Sequence, residues 1–353
     1  MVDLYREINL QSKPLGKILV VGPSWVGDMV MAQSLFIALK AGDPACQIDV
    51  LAPAWTFPLL DRMPEVTRSI TMPLTHGQFG LTDRIRLGRQ LRSEAYTRAI
   101  VLPNSWKSAL VPFFANIPVR TGYIGECRWG LLNDARRLDK QKLTMTVQRF
   151  VALALPKNAA QPPAYPIPSI PIDPERQAAV SEAFQIQTGG NILALCPGAE
   201  YGPAKRWPTE HFAELARKKI AEGWQVWLFG SEKDRAVTGE INQKTGGLCV
   251  DFAGRTQLDQ ALDLLSLATA VVSNDSGLMH LAAALDKPLI AVYGSSDPGF
   301  TPPLHTKAQV VSLHLDCAPC FKRSCPLYPE GHPEHARCLS GIAPERILAL
   351  LAG

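Results

Sequence analysis

Short unbroken apolar runs alternate along this chain with longer stretches whose apolar residues recur at helical spacing. "KILVVG" at 17–22 is the first run, and its length and closing glycine predict a buried strand. "DMVMAQSLFIALKA" at 28–41 predicts a helix, and "QIDVLAP" at 47–53 and "RAIVLPN" at 98–104 predict further strands. Strand, helix, strand in this order is the pattern of a parallel sheet. Residues 156–174, "PKNAAQPPAYPIPSIPIDP", have neither period and predict a stiff proline-rich linker. The alternation then restarts with "NILALCPG", "TEHFAELARKKIAEG", "WQVWLFG", "LDQALDLLSLA", "TAVVSNDSG", "LMHLAAALD" and "KPLIAVYGSS". The prediction is an α/β protein with two Rossmann-like halves, at 17–172 and 173–353. Such sheets bind ligands at the carboxyl ends of their strands, so a cleft between two of them is the expected active site.

Composition narrows the class. The 353 residues suffice for two domains, and 46% hydrophobic with 19% charged residues is the balance of a globular protein with a sizeable core. A net charge of +4 permits an anionic ligand or a membrane surface, and no nucleic-acid motif stands out. The first 16 residues lack the apolar core of a secretory signal, and no run approaches the roughly 18 apolar residues of a membrane span. The expectation is a cytoplasmic protein, at most peripheral to a membrane.

Four loops carry candidate chemistry. "GPSWVGDM" at 22–29 has the glycine spacing of a phosphate-binding loop, but Asp28 stands where that loop needs lysine and Met29 where it needs a hydroxyl. In "NDSGLMH", the amides of Ser276, Gly277 and Leu278 stand at a predicted helix start, a ready anion site, unless Asp275 or Ser276 merely caps the helix. "CPGAEYGPAKRWP" sets Lys205 and Arg206 on a Gly/Pro loop after a strand; adjacent cations suit a diphosphate, or are solvated charges. "GSEKD" places Ser231, Glu232 and Asp234 after a strand, where an acid can bind ribose hydroxyls or cap a helix.

Together, "GPSWVGDMVMAQSL", "PGAEYGPAKRWP", "FGS" and "SNDSGLMHLAAALDKPLIAVYG" closely resemble the ADP-heptose:lipopolysaccharide heptosyltransferases. "LAPAW", "RMPEV", "VLPNSWKSALVPFFA", "RTGY", "GLLND" and "TQLDQA" extend the resemblance from Lys17 to the C-terminus. It implies the GT-B fold, two Rossmann-like domains with parallel sheets facing across a cleft, the N-terminal one taking the lipid acceptor and the C-terminal one the ADP-sugar. It also makes Asp28 the catalytic base and adds Glu200, Tyr201 and Thr256 to a donor set of Lys205, Ser231, Asp234, Asp275, Ser276, Gly277 and Leu278. Lys205 and the "NDSG" amides would stabilise the departing ADP, with no metal required, since the D-x-D signature of metal-dependent relatives is missing. The implied acceptor is a heptosyl-Kdo2-lipid A core at the cytoplasmic face of the inner membrane. Its anionic groups would meet Lys107 and Arg120, with Arg128, Arg136 and Arg137 extending a basic face. "PSWVGDM" and "PGAEYGPAKRWP" favour the branch that adds the second heptose over the one acting on Kdo2-lipid A.

Four of the eight cysteines, Cys317, Cys320, Cys325 and Cys338, fall in "CAPCFKRSCPLYPEGHPEHARC" with His332 and His335. The C-x-x-C start resembles a zinc site, but the remaining spacing fits no standard ribbon, so reduced thiols packing a loop are the expectation and structural zinc the alternative. Two other readings compete with the transferase. A nucleotide-sugar epimerase would have no use for the lipid-facing "VLPNSWKSALVPFF". A non-catalytic zinc module would leave Asp28, Lys205 and "NDSG" unexplained.

Overall fold

The computed structural model describes residues 14–74, 78–187 and 189–351. The amino-terminal stretch read above for a secretory signal lies mostly outside them. The chain divides into two compact units between Pro168 and Ser169, inside the proline-rich segment, of which 156–173 form neither helix nor strand.

The first unit carries β1 (Lys17–Val21), β2 (Gln47–Ala52), β3 (Arg68–Thr71), β4 (Arg98–Val101), β5 (Val119–Tyr123) and β6 (Asp134–Arg136). They form one parallel sheet in the order β3-β2-β1-β4-β5-β6. The second carries β7 (Ile192–Cys196), β8 (Gln225–Leu228), β9 (Val250–Asp251), β10 (Ala270–Asn274), β11 (Leu289–Val292) and β12 (Gln309–Val311), ordered β9-β8-β7-β10-β11-β12 and again all parallel. Each unit is therefore a doubly wound Rossmann sheet. Each reverses its direction of growth once, between β1 and β4 and between β7 and β10, and at such a switch point the loops leaving the carboxyl ends part and open a crevice.

The central strands are mostly apolar because both faces are covered. Ile18, Leu19 and Val20 of β1 and Leu193, Ala194 and Leu195 of β7 are fully buried. The helix Val26–Gly42 is buried on most of its circumference, since it lies against both its sheet and the helix Thr146–Ala152. At the amino ends of the first sheet, Lys17, Arg68 and Tyr96 gather on the buried Asp49, with Arg68 Nη2 at 2.9 Å and the Tyr96 hydroxyl donating at 2.6 Å. That network closes the edge opposite the switch point. No helix among the described residues is long and apolar enough to cross a membrane.

Candidate active site

The first switch point is built by the exits of β1 and β4. Gly22 ends β1, its amide donating to Leu51 O at 2.9 Å. A Cβ there would stand 2.9 Å from Met29 Cε and 3.2 Å from Val50 Cγ1, so a larger residue would have to displace the Met29 side chain. Trp25 is the extended N-cap residue of the helix Val26–Gly42 and gives it no side-chain cap. Asp28 lies in the first turn of this helix, half-buried. A carboxylate there is favoured by the helix dipole and stands at the mouth of the crevice.

Beside it, Leu102 N bonds Val21 O at 3.1 Å and the chain runs through Pro103 to Lys107. Lys107 is half-buried and donates to Gln78 O at 3.2 Å. Arg120 stands near the start of β5 rather than at its exit; it donates to Leu131 O and Ile117 O, each at 2.6 Å, and lies over the Phe113 ring. The basic face expected of Arg128, Arg136 and Arg137 is not assembled. Arg128 is 1% exposed and bonds Pro103 O at 2.7 Å. Burial, opposed by the Glu126 charge, lowers its pKa to about 10. Arg136 is buried against Asp134 at 2.8 Å, and only Arg137 is exposed. Both buried guanidiniums hold the loops in place, a role that a count of charges in the sequence does not distinguish from ligand binding.

At the second switch point the exits of β7 and β10 are tied together. Asn274, fully buried, donates through Nδ2 to Pro197 O at 2.7 Å and accepts from Trp207 N at 3.0 Å. Lys205 Nζ meets Asp275 Oδ2 at 2.5 Å, with only 18% and 5% of the two side chains exposed. The ammonium also lies 5.1 Å from the centre of the Tyr201 ring, a cation–π arrangement that restrains the flexible lysine stem. Tyr201 is fixed in turn by its hydroxyl, which donates to Phe321 O at 2.7 Å. One ammonium proton suffices for Asp275 and the others can meet an anion. The helix Gly277–Ala284 starts beside this pair, and its N-cap Ser276 makes no side-chain capping bond. Of the two readings of "NDSG", the side-chain cap is therefore not what forms. Ser276, Gly277 and Leu278 are half-exposed.

The third loop of this unit is differently occupied. Ser231 and Asp234 form a capping box, with Ser231 N and Oγ donating to Asp234 Oδ2 at 2.9 and 2.7 Å. Arg206 lies 3.5 Å from Asp234 Oδ1. Gly198 faces the same carboxylate so closely that a Cβ would fall 2.5 Å from its carbon. Asp234 thus anchors two loops to each other, while Ser231 stays exposed. Glu200 pairs with Lys233 on the surface, and the half-exposed Thr256 contacts Phe252 O at 3.5 Å.

Sequence reasoning missed His280, one turn into the helix behind the Lys205–Asp275 pair and 4% exposed. Burial, opposed by Asp275 and assisted by Lys205, lowers its pKa to about 4. A neutral imidazole leaves the pair's electrostatics undisturbed. Below pH 6.5 the unfolded chain takes up this proton and the folded chain does not until about pH 4, so stability falls as pH drops through that window, by ~3 kcal/mol in all. Urea unfolding at pH 7 and pH 5 is expected to show this slope in the wild type and a reduced one in His280→Gln; equal slopes would place the imidazole's titration elsewhere.

Comparison with known proteins agrees with this geometry. Residues 84–330 match the family described as glycosyltransferase family 9 (heptosyltransferase). The lipopolysaccharide heptosyltransferase 2 of Salmonella typhimurium is 54% identical over 306 residues, covering 84% of this chain and 88% of that protein. Its namesake in Escherichia coli K12 is 52% identical with the same coverage. The solved structure of E. coli ADP-heptose lps heptosyltransferase II superposes with a TM-score of 0.83 at 46% identity, over 95% of this chain and 97% of that one. Two Rossmann units, a carboxylate at one switch point and a braced cation at the other, and this similarity along nearly the whole length give one conclusion: the chain belongs to glycosyltransferase family 9, the heptosyltransferases.

Proposed function

We propose that this enzyme transfers L-glycero-D-manno-heptose from ADP-heptose onto the first heptose of the lipopolysaccharide inner core, heptosyl-Kdo2-lipid A. The acceptor half is 17–172 and the donor half 173–353. The observation that carries the reading is the matched placement of unlike chemistry: Asp28 at the β1/β4 switch point, and Lys205 with an uncapped helix start at the β7/β10 switch point. Asp28 takes the proton of the attacking hydroxyl as the new C–O bond forms at the anomeric carbon. The bond from that carbon to the diphosphate oxygen breaks on the opposite face, inverting the centre, and ADP leaves. Lys205 and the amides at Ser276–Leu278 receive the charge that grows on the diphosphate. Asp275 holds Lys205 in position, and Tyr201, Glu200, Ser231, Asp234 and Thr256 border the nucleotide.

On the acceptor side Lys107 is the cation best placed for the anionic core; Arg120, near the start of β5 and bonded to two carbonyls, is the second candidate. Exposed indoles stand on the loops after four strands of the same sheet: Trp25 after β1, Trp55 after β2, Trp106 after β4 and Trp129 after β5. Indoles at one edge suit an amphipathic lipid substrate and work at the membrane surface. The test is incubation with ADP-heptose and two acceptors, Kdo2-lipid A and its heptosylated form. Extension of the heptosylated acceptor alone is expected; extension of Kdo2-lipid A alone would assign the preceding step instead.

A further inference from the structure

The structure assigns a second, structural site to the second unit: we propose that Cys317, Cys320, Cys325 and Cys338 bind one zinc ion, which holds the loop bracing the donor site. The cysteines are spaced C-x2-C-x4-C-x12-C; the first three lie in a segment from Leu315 to Ala336 with no helix or strand, and Cys338 in the short helix Arg337–Ser340 that follows it. A stretch that long without secondary structure needs some other tether. All four side chains line a single cavity of about 290 Å³, together with Ser295 and Ala204. No pair among them forms a disulfide. The described residues contain no ready-made set of three or more metal ligands, so binding has to draw the sulfurs inward across this cavity.

On binding, four thiols lose their protons and a divalent ion offsets two of the four thiolate charges. Arg337 also lines the cavity, paired with Glu334 at 2.8 Å. The Ser295 hydroxyl, 1% exposed, has no hydrogen-bond partner among the described residues. His332 and His335 are otherwise engaged, one stacked on the Tyr328 ring and the other bonded to Tyr328 O at 2.8 Å. Four sulfurs without an open position make a closed tetrahedral structural site, which zinc fits.

The site connects to the donor loop through the residues between Cys320 and Cys325. Phe321 N donates to Ser295 O at 2.7 Å and Phe321 O accepts from Tyr201. Arg323 O accepts from Ala204 N at 3.0 Å, and a Cβ on Gly202 would lie 2.6 Å from that oxygen. Fixing both ends of this knuckle therefore fixes Tyr201 and, through it, Lys205. This consequence for turnover rests on the transferase reading; the metal site does not.

The test uses the full chain, purified without added chelator. Elemental analysis is expected to find about one zinc per chain. After stripping under reducing conditions, added cobalt should give the visible bands of tetrahedral cobalt–thiolate, and zinc should protect the four thiols from a thiol reagent. Loss of an outer-shell partner costs a metal site roughly 10- to 100-fold in affinity, so Cys320→Ser and Cys338→Ser should weaken cobalt binding by at least ~100-fold. Stripped enzyme should show a raised KM for ADP-heptose, restored by zinc. A chain that emerges metal-free, gives no cobalt–thiolate bands and has thiols equally reactive with and without zinc overturns the site, whatever its transferase activity.

Discussion

Asp28→Asn is expected to lower heptose transfer by roughly 10²- to 10⁴-fold, the usual contribution of a general base. The substitution keeps the size of the side chain and most of its hydrogen bonding but removes its capacity to take the proton. Asp28 lies in the first turn of the helix Val26–Gly42, at the β1/β4 switch point. The same position also favours a negative charge for purely structural reasons, since it stands at the positive end of the helix dipole. The two roles separate experimentally. A helix-terminal carboxylate that only stabilises its helix is worth on the order of 1 kcal/mol, and its loss would lower the melting temperature while leaving turnover per folded molecule near normal. Single-turnover transfer at saturating donor, measured beside a thermal melt, distinguishes them. A variant that melts early yet transfers at close to the wild-type rate removes Asp28 from the chemistry.

Lys205→Ala should lower the specificity constant for ADP-heptose by about tenfold to over a hundredfold, the effect of losing a charge-assisted contact of roughly 1.5 to 3 kcal/mol. The structure places the expectation at the upper end. Lys205 sits 2.5 Å from Asp275, whose side chain is only 5% exposed. Truncating the lysine removes the cation proposed to meet the diphosphate and also leaves a buried carboxylate without its partner. Neutralising both should cost less than neutralising the lysine alone, so Lys205→Ala/Asp275→Asn is expected to recover part of the loss. Steady-state kinetics with varied donor reads this directly; donor kinetics unchanged in Lys205→Ala would remove the lysine from the site.

Much of the fold is legible in the sequence because its central strands are built on short apolar runs. "KILVV", "ILALC" and "AVVSN" are buried on both faces and flanked by glycine or turn residues. The strands that escape such a reading are short or polar. "RSIT" of β3 is an edge strand with no fully buried residue, and "DAR" of β6 owes its place to pairing with β5. The helix starts at Thr209 and Leu258 coincide with the predicted ones, since Pro208 and Gln257 mark them locally. At the site, the residues of the strand exits are legible as types but not as partners. Nothing in "AKRWP" or "NDSG" says that Lys205 and Asp275 pair across the β7/β10 switch point, because only the sheet order brings residues 70 positions apart together. The same holds for Arg128 and Arg136, which read as surface cations and are buried against carbonyls and a carboxylate. His280 reads as one more residue of an apolar helix; its burial behind an ion pair is a property of packing.

The central claim is a division of labour, with proton transfer at the first switch point and nucleotide recognition at the second. It is tested most directly by titrating ADP into the wild type, Asp28→Asn and Lys205→Ala by calorimetry under one set of conditions. The account predicts wild-type affinity in Asp28→Asn and a loss of about tenfold or more in Lys205→Ala. Weakened ADP binding in Asp28→Asn, with Lys205→Ala unaffected, would contradict it.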